Sequence, residues 1–264
     1  MRDFTLKAFK LLLTELGKNQ YEFKTFVEFM QEKPEKEKIF ILRHDVDKKP
    51  LRSLRTAELE SQLTIKGTYY FRVKKGKLPN EVIERVVGMG HEIGYHYDDL
   101  HEAGGNVKKA LSLFQKNLTV LRELAPIKTA CMHGSPMSSF DNRDMWKESN
   151  YKEFGIIGEP YFDIDFYEVM YLTDTGRRWD GDLVSIRDRV VSSKKTEINK
   201  EKKIHSTFDL INALKKDQLP NKIMLTIHPQ RWTDKLLPWL WELVWQKSKN
   251  SVKYFVVKRV DSRQ

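Results

Sequence analysis

Short apolar runs alternate with amphipathic segments along this chain, and this alternation limits its fold more than any other feature. The apolar runs are too short for helices and predict buried strands at 38–43, 68–73, 92–97, 128–133, 155–157, 169–172, 183–186, 223–227 and 254–257. The segments between them place apolar residues three or four apart and predict helices at 51–63, 79–87, 107–124, 207–214 and 234–247. Because parallel strands need such crossover segments, we expect an α/β fold with a parallel sheet or barrel.

The first 34 residues precede this alternation. Apolar residues at 9, 12, 13 and 16, and again at 23, 26, 27 and 29, predict two helices that end before Pro34. We find no internal repeat and no shift in composition that would mark a boundary. The sequence therefore predicts one domain over 1–264, in which 1–34 is a helical N-terminal extension.

The composition is that of a globular protein. Hydrophobic residues make up 40% of the chain and aromatic residues 11%, enough for one large core. With 32% charged residues and a mean hydropathy of −0.59, the chain fits neither a membrane protein nor a disordered tail. No apolar stretch is long enough for a bilayer, residues 1–16 lack a secretory signal, and the single cysteine, Cys131, agrees with a reducing compartment. We expect a cytoplasmic protein without a transmembrane segment.

The net charge of +10 raises the question of a nucleic-acid partner. Much of the excess lies in one segment, 194–203, which holds five lysines and two glutamates with few apolar residues. Such a segment is more typical of a solvated loop, or of a lid that orders on binding, than of a nucleic-acid groove. We expect no nucleic-acid partner.

Four polar clusters follow predicted strands, at 44–47, 96–101, 132–136 and 227–232, and they contain five of the seven histidines. Parallel α/β folds place their sites at the carboxyl ends of strands, so we expect these clusters to converge. Asp45 and Asp47 are two apart and point to the same side of an extended backbone. Together with an imidazole such as His96, they suit zinc or another first-row divalent ion. His228, held by Pro229, is placed to exchange a proton.

Other interpretations of these residues exist. An aspartate-rich strand end is also typical of a solvated turn, and the pair Asp45 and Asp47 matches the short acidic motif of nucleotide-sugar transferases. Trp179 and Trp232, beside arginines, are candidates for stacking on a sugar. The tryptophans at 239, 241 and 245 lie in an amphipathic segment and are predicted to be core residues.

Taken in order, the clusters resemble the motifs of the polysaccharide deacetylase superfamily, and the resemblance covers about 39–232. Asp45 resembles the family's catalytic base and Asp47 its metal-binding aspartate. The segment 90–96 is the most specific match and gives His96 the place of the first metal histidine. The segment 225–228 makes His228 similar to the general acid, with Asp174 as the residue that orients it. The resemblance implies a distorted (β/α) barrel of about seven units.

Two positions depart from the family pattern. The second metal histidine is expected four residues after the first, where this chain has Leu100. His101 is one position later, and Asp98 or His133 are the alternatives for the third ligand. The third motif offers a histidine where the family has an arginine that holds the base. That role could pass to one of three other residues, Arg43, Arg72 and Arg231. The same three arginines are also expected to bind substrate, together with His133, Trp179 and Trp232.

The resemblance implies a metal-dependent deacetylase that hydrolyses an N-acetyl group on a sugar or polysaccharide precursor. Its expected cofactor is a divalent metal, Zn²⁺ before others, and its expected partner is a carbohydrate carried on a nucleotide or a lipid. Two alternatives stay open at this point. One is a sugar-binding or scaffolding protein with reduced catalysis, and the other is a nucleotide-sugar transferase that uses the acidic pair.

Overall fold

The structure, a computed structural model, describes residues 1–33, 37–134, 138–179 and 204–261. Its centre is a curled parallel sheet with the strand order β5-β4-β3-β2-β7-β6, in which β1 pairs with β2. This confirms the predicted α/β fold with a parallel sheet. The strands are β1 Glu22–Lys24, β2 Ile39–Val46, β3 Thr68–Phe71, β4 Glu92–Tyr97, β5 Ala130–Met132, β6 Met170–Thr173 and β7 Lys222–Ile227.

Strand β2 lies in the middle of the sheet, and all eight of its residues are buried. Its residues 39–44 pair with β7. On the opposite edge, 39–41 pair with β1 and 43–46 pair with β3. A nearly continuous apolar run is typical of a strand that is covered on both faces, and this run ends in the polar cluster at 44–47.

Helices connect the strands, and side-chain caps fix several of their starts. Thr25 and Glu28 form a capping box at the start of the helix Phe26–Glu32, and Ser206 and Asp209 form another at the start of the helix Thr207–Lys215. The helices predicted at 51–63, 79–87, 107–124 and 207–214 are confirmed with small shifts at their ends. The helices are α1 Leu6–Lys18, α2 Phe26–Glu32, α3 Ser53–Gln62, α4 Asn80–Gly88, α5 Asp99–Glu102, α6 Val107–Arg122, α7 Pro160–Asp163, α8 Thr207–Lys215 and α9 Leu236–Asp261.

One face of the curled sheet carries both apolar core residues and charged residues. Alternate residues of β2 point to one side, so Ile39 and Ile41 share a face with Arg43 and Asp45. Ile39 and Ile41 pack in a small apolar cluster with Phe26, Tyr70, Cys131 and Met224. On β2, the residues of this cluster, Ile39 and Ile41, precede Arg43 and Asp45 along the strand. The polar residues that follow them therefore lie at the carboxyl end.

The structure overturns three predicted elements. The segment 1–34 is not wholly helical, because Glu22–Lys24 forms β1 and Glu22 N donates a hydrogen bond to Lys38 O at 2.7 Å. Residues 155–157 are not a strand, because Gly155 ends a 3-10 turn with a φ of 73°. Residues 254–257 belong to α9, whose backbone continues far beyond the predicted end at 247.

Two further predictions have different outcomes. The tryptophans of α9 are not all core residues, since Trp241 is 68% exposed and Trp245 is 49% exposed. The strand predicted at 183–186 and the basic segment 194–203 lie outside the described residues. Within the described ranges, no helix combines the length and the apolar character needed to cross a bilayer.

Candidate functional site

Five strands bring aspartate and histidine side chains to one end of the sheet. Asp45 is near the end of β2 and His96 near the end of β4, while three other residues directly follow the ends of β5, β6 and β7. Those three are His133, Asp174 and His228. Because the strands are parallel, these carboxyl ends lie together, as the sequence predicted.

Asp47, His96 and His133 form a group whose ligand atoms all lie within 4.8 Å of one another. Nε2 of His96 and Nε2 of His133 each lie 3.3 Å from Oδ1 of Asp47. That carboxylate oxygen is buried and has no hydrogen bond of good geometry from any residue that the structure describes. Two imidazole nitrogens and one carboxylate oxygen that converge in this way are a donor set that fits a divalent metal.

The far side of each imidazole has an acceptor of its own. Nδ1 of His96 lies 3.0 Å from the backbone oxygen of Cys131, and Nδ1 of His133 lies 3.4 Å from Oδ2 of Asp98. Such partners hold the proton of Nδ1, so the Nε2 atom of each ring faces Asp47 and is the nitrogen that would give up its proton to a metal. Both histidines therefore have the orientation that metal ligands need.

Asp98 is held in place by two further side chains. Arg72 donates a hydrogen bond to Oδ2 of Asp98, and the Asn142 amide donates to Oδ1 at 2.8 Å. The same amide donates to the backbone oxygen of His133 at 2.9 Å. Asp98 thus supports a ligand, and Arg72 supports Asp98.

The charges of this group depend on one another. Burial alone would raise the pKa of Asp47, but His133, His96 and His228 outweigh it and hold that pKa well below its usual range. Burial alone would lower the pKa of His133, yet the carboxylates of Asp47 and Asp98 raise it to about 9. The cluster therefore attracts positive charge strongly.

Asp45 lies beside this group but is held by a different partner. Arg43 donates from Nε to Oδ1 at 2.8 Å and from Nη2 to Oδ2 at 2.7 Å, in a buried bidentate pair. Burial opposes the charge of Asp45, but Arg43 and His96 outweigh it and lower the pKa of Asp45. Oδ2 of Asp45 lies 3.9 Å from Nε2 of His96, so the carboxylate borders the metal group.

The position of Arg43 on β2 depends on a glycine of β4, which acts through the tyrosine that lies between them on β3. The guanidinium lies over the rings of Tyr70 and Tyr161, 5.6 and 5.4 Å from their centroids. A Cβ at Gly94 on β4 would come within 2.3 Å of the Tyr70 ring. Gly94 therefore allows the ring to lie where it supports Arg43.

His228 approaches the group from the other side. Its Nδ1 lies 2.6 Å from Oδ1 of Asp174, and its Nε2 lies 3.6 Å from Oδ2 of Asp47. Arg231 and the indole of Trp232 also donate to Asp174. Although burial opposes its charge, Arg231 and His228 lower the pKa of Asp174 to about 2. Asp174 is thus a fixed anion that orients His228.

The structure separates the alternatives for the third ligand. His133 joins Asp47 and His96, whereas His101 lies on α5 with an exposed side chain and belongs to neither described metal-binding group. A second group, Asp45, His96 and Cys131, also has ligand atoms that all lie within 4.8 Å of one another. Both oxygens of Asp45 are engaged by Arg43, so the group with Asp47 is the better candidate.

Several residues predicted to bind substrate have other roles. Trp179 and Trp232 are 3% and 1% exposed, and they pack against each other and against Phe4, so neither can stack on a sugar. Arg231 bonds to Asp174, and Arg43 takes the role of holding Asp45. Burial thus rules out the predicted stacking of the two tryptophans on a sugar, whereas Arg43 fills the base-holding role for which it was one of three candidates.

Sequence reasoning missed the contribution of Asn142. It lies in a 3-10 turn, Asn142–Trp146, 44 residues after Asp98, and it joins Asp98 to the backbone of His133. A lone asparagine outside any strand end gives no signal in a single sequence. Only the folded loop shows that it orients the second imidazole.

No protein-family model and no curated protein matches the chain. Solved structures of carbohydrate esterase family 4 (CE4) proteins do resemble it. A CE4 esterase from Streptococcus mutans is 13% identical, with a TM-score of 0.46 and coverage of 88% of this chain and 87% of that one. A family 4 carbohydrate esterase from Bacillus anthracis is 12% identical, with a TM-score of 0.39 and coverage of 92% and 87%.

A CE4 family pseudoenzyme from Bacillus anthracis also resembles the chain, with 13% identity and a TM-score of 0.44. The match covers 81% of this chain and 62% of the pseudoenzyme, so the chain spans less than two thirds of that protein's length.

Proposed function

We propose that this chain is a metal-dependent deacetylase that hydrolyses an N-acetyl group on a sugar, as a divergent member of the polysaccharide deacetylase superfamily. One observation carries the proposal. Oδ1 of Asp47 lies 3.3 Å from the Nε2 atoms of two oriented imidazoles, with a fixed carboxylate and a third oriented imidazole directly beside it. Amide hydrolysis needs a cation site, a base and an acid in this proximity.

Asp47, His96 and His133 are the residues that would hold the metal, and two nitrogens with one oxygen suit Zn²⁺. A divalent cation at such a site polarises a carbonyl and makes water more acidic. The protein supplies the orientation of the ligands through Cys131 O and Asp98.

Asp45 is the residue that would accept a proton from the attacking water. Its low pKa keeps it ionised at neutral pH, and the bidentate bond from Arg43 fixes both oxygens in place. Because Asp45 and Arg43 share one face of β2, the base cannot rotate away from the metal group without breaking this pair.

His228 is the residue that would protonate the departing amine. Asp174 holds Nδ1, so Nε2 is the nitrogen free to face the reacting groups, and it lies on the Asp47 side. In the balanced reaction, water adds to the acetyl carbonyl and the C–N bond breaks. Asp45 takes the proton from the water, and the amine nitrogen takes one from His228.

The transferase alternative fits the geometry poorly. An acidic pair that shares a metal on a nucleotide diphosphate needs a ligand atom from both aspartates, and each of the described metal-binding groups contains Asp45 or Asp47 but not both. Both oxygens of Asp45 accept hydrogen bonds from Arg43 in a buried pair. A sugar-binding protein without catalysis remains the outcome that the experiment below would reveal.

The test is Asp45→Asn, compared with the unchanged chain after loading with zinc. Acetate release is measured from N-acetylglucosamine oligomers and from nucleotide-linked and lipid-linked N-acetyl sugars. Asparagine cannot accept the proton, so we expect turnover to fall by about 10² to 10⁴-fold while the zinc content stays at the level of the unchanged chain. Near-normal turnover in the variant refutes the role of Asp45, and sugar binding without acetate release by the zinc-loaded chain favours a binding protein.

A further inference from the structure

Helix α9 presents apolar residues to solvent and polar residues to the protein, the reverse of an ordinary surface helix. Between positions 236 and 245, residues spaced three or four apart form one exposed stripe, with exposures from 41% to 78%. We call this stripe the outer face of α9. It consists of Leu236, Leu237, Leu240, Trp241, Val244 and Trp245.

Polar contacts hold the opposite side of α9 against the protein. Glu242 and Gln246 are buried, and the Gln246 amide donates to Glu242 at 2.6 Å. The Asn250 amide donates to the backbone oxygen of Gly176 at 2.9 Å, and the Trp239 indole donates to that of Asp3 at 2.6 Å. The rotation of the helix is therefore fixed by hydrogen bonds, and its apolar stripe is held outward.

A contiguous row of large apolar side chains in water marks a docking surface. The charges around this row are mostly positive, and Asp234, which precedes it, accepts a hydrogen bond from Lys7 N at 3.3 Å. From position 235 to 249 the acidic residue is Glu242, which is buried, and the other charged residues are Lys235, Lys247 and Lys249. The sequence from 251 to 264 adds four cationic residues and one acidic residue. Exposed tryptophan and leucine bordered by lysine are typical of helices that lie in the interface of an anionic membrane.

We propose that the outer face of α9 docks on the surface of a membrane that contains anionic phospholipids. The apolar stripe enters the boundary between headgroups and acyl chains, and the lysines face the anionic headgroups. The net charge of +10 on the whole chain acts in the same direction.

The attachment of α9 brings this surface to the loop that carries Asp174. Asn250 bonds to Gly176, and the guanidinium of Arg177 lies 4.9 Å from the Trp239 ring centroid. Docking therefore places the Asp174 loop about one helix diameter from the membrane surface, because α9 lies between them. If the proposed deacetylase function holds, a lipid-linked N-acetyl sugar is the substrate that such an arrangement favours over a nucleotide-linked one.

Vesicle flotation tests the docking. The probes are vesicles of phosphatidylcholine with phosphatidylglycerol and vesicles of phosphatidylcholine alone. We expect the unchanged chain to float with the anionic vesicles, less at high salt, and the double variant Leu237→Ser, Trp241→Ser to lose at least about tenfold in partitioning. Tyr167→Ser removes an aromatic ring that is 57% exposed elsewhere and should float like the unchanged chain.

A second measurement does not depend on the stability of the double variant. Brominated acyl chains should quench tryptophan fluorescence in the unchanged chain and should quench it less in Trp241→Phe. Quenching in Trp179→Phe should be as strong as in the unchanged chain, because Trp179 is buried. Equal flotation of the double variant, or quenching unaffected by Trp241→Phe, overturns the proposal. A dimer that forms without lipid and dissociates in the double variant also overturns it, since a second copy would then cover the face. Asp45→Asn should float normally, which separates this result from the proposed catalysis.

Discussion

Strand β2 separates two buried clusters of histidine and carboxylate that use the same residue types differently. On one face, His44 pairs with Glu60, and on the other, Asp47 meets His96 and His133. Both clusters are built at the carboxyl end of β2, from residues three positions apart in the motif at 44–47. The difference between them is whether the polar atoms already have partners.

The His44 cluster is closed. Nε2 of His44 lies 2.7 Å from Glu60, Nδ1 lies 3.3 Å from the backbone oxygen of Thr68, and the Tyr69 hydroxyl donates to the second oxygen of Glu60 at 2.9 Å. The His44 ring stacks on Tyr69 with centroids 3.8 Å apart. His44 and Glu60 are both 0% exposed, so this cluster stabilises the fold and has no room for a ligand.

The Asp47 cluster is open. Oδ1 of Asp47 lacks a partner of good geometry among the described residues, and the side chains of Asp47 and His133 are 18% and 16% exposed. A buried polar atom without a partner costs free energy, which a bound cation would recover. Buried histidines and carboxylates therefore indicate a metal site only where one donor position stays unfilled.

The largest effect should come from removing the open donor. In Asp47→Asn the central anionic ligand is lost, so we expect zinc affinity to fall by more than the roughly 100-fold that loss of an outer partner costs. Zinc affinity is measured by competition with a chelator, and unfolding of the metal-free protein is measured in urea. Unchanged zinc affinity would contradict the distinction between the clusters.

The closed cluster should respond in stability instead. His44→Ala leaves the Glu60 carboxylate buried without its main partner, and we expect a loss of about 3–5 kcal/mol in the free energy of unfolding. The fraction that stays folded should bind zinc like the unchanged chain. A variant that keeps its stability but loses zinc would reverse the assignment of the two clusters.

Two adjacent aspartates give a sharper comparison. Asp98 faces His133, whereas Asp99 accepts hydrogen bonds from Tyr95 and Asn117. We expect Asp98→Asn to weaken zinc binding by about 10- to 100-fold, because the outer carboxylate of a ligand histidine is lost. Asp99→Asn is the matched control and should leave zinc affinity unchanged. Equal losses in both variants would mean that Asp98 has no specific role.

Asp99 should instead affect how stability depends on pH. Burial, aided by Glu102 and Asp98, raises its pKa from 3.8 to about 7. The folded protein then holds this proton up to pH 7 while the unfolded chain releases it near pH 4, so stability falls as the pH rises through that range. The loss is at most about 1.4 kcal/mol per pH unit. Urea unfolding at several pH values should give a flatter curve for Asp99→Asn, and an unchanged slope would contradict this account.

Strand ends were the predictable part of this site. Apolar runs and the polar residues after them located the parallel sheet and the convergence of Asp45, Asp47, His96 and His228, because strand period and parallel pairing are local properties. The motif resemblance supplied their expected roles.

The remainder depends on contacts between distant segments. His101 and His133 were both possible ligands. Which of them reaches Asp47 and His96 depends on the path of the loops after β4 and β5, and the spacing of residues in the sequence does not give that path. The sequence also suggested exposed tryptophans beside arginines, but Trp179 and Trp232 pack beneath Asp174 while Trp241 lies in water. The spacing of apolar residues shows that a helix has an apolar and a polar face, but it does not show which of the two packs against the protein.

The central claim is that Asp47, His96 and His133 hold one divalent cation. Its most direct test is an anomalous difference map from crystals of the zinc-loaded protein. We predict one strong peak in contact with these three side chains, and none beside His44 and Glu60. A peak held by Asp45, His96 and Cys131 without Asp47, or no peak between Asp47 and the two histidines, would contradict the account.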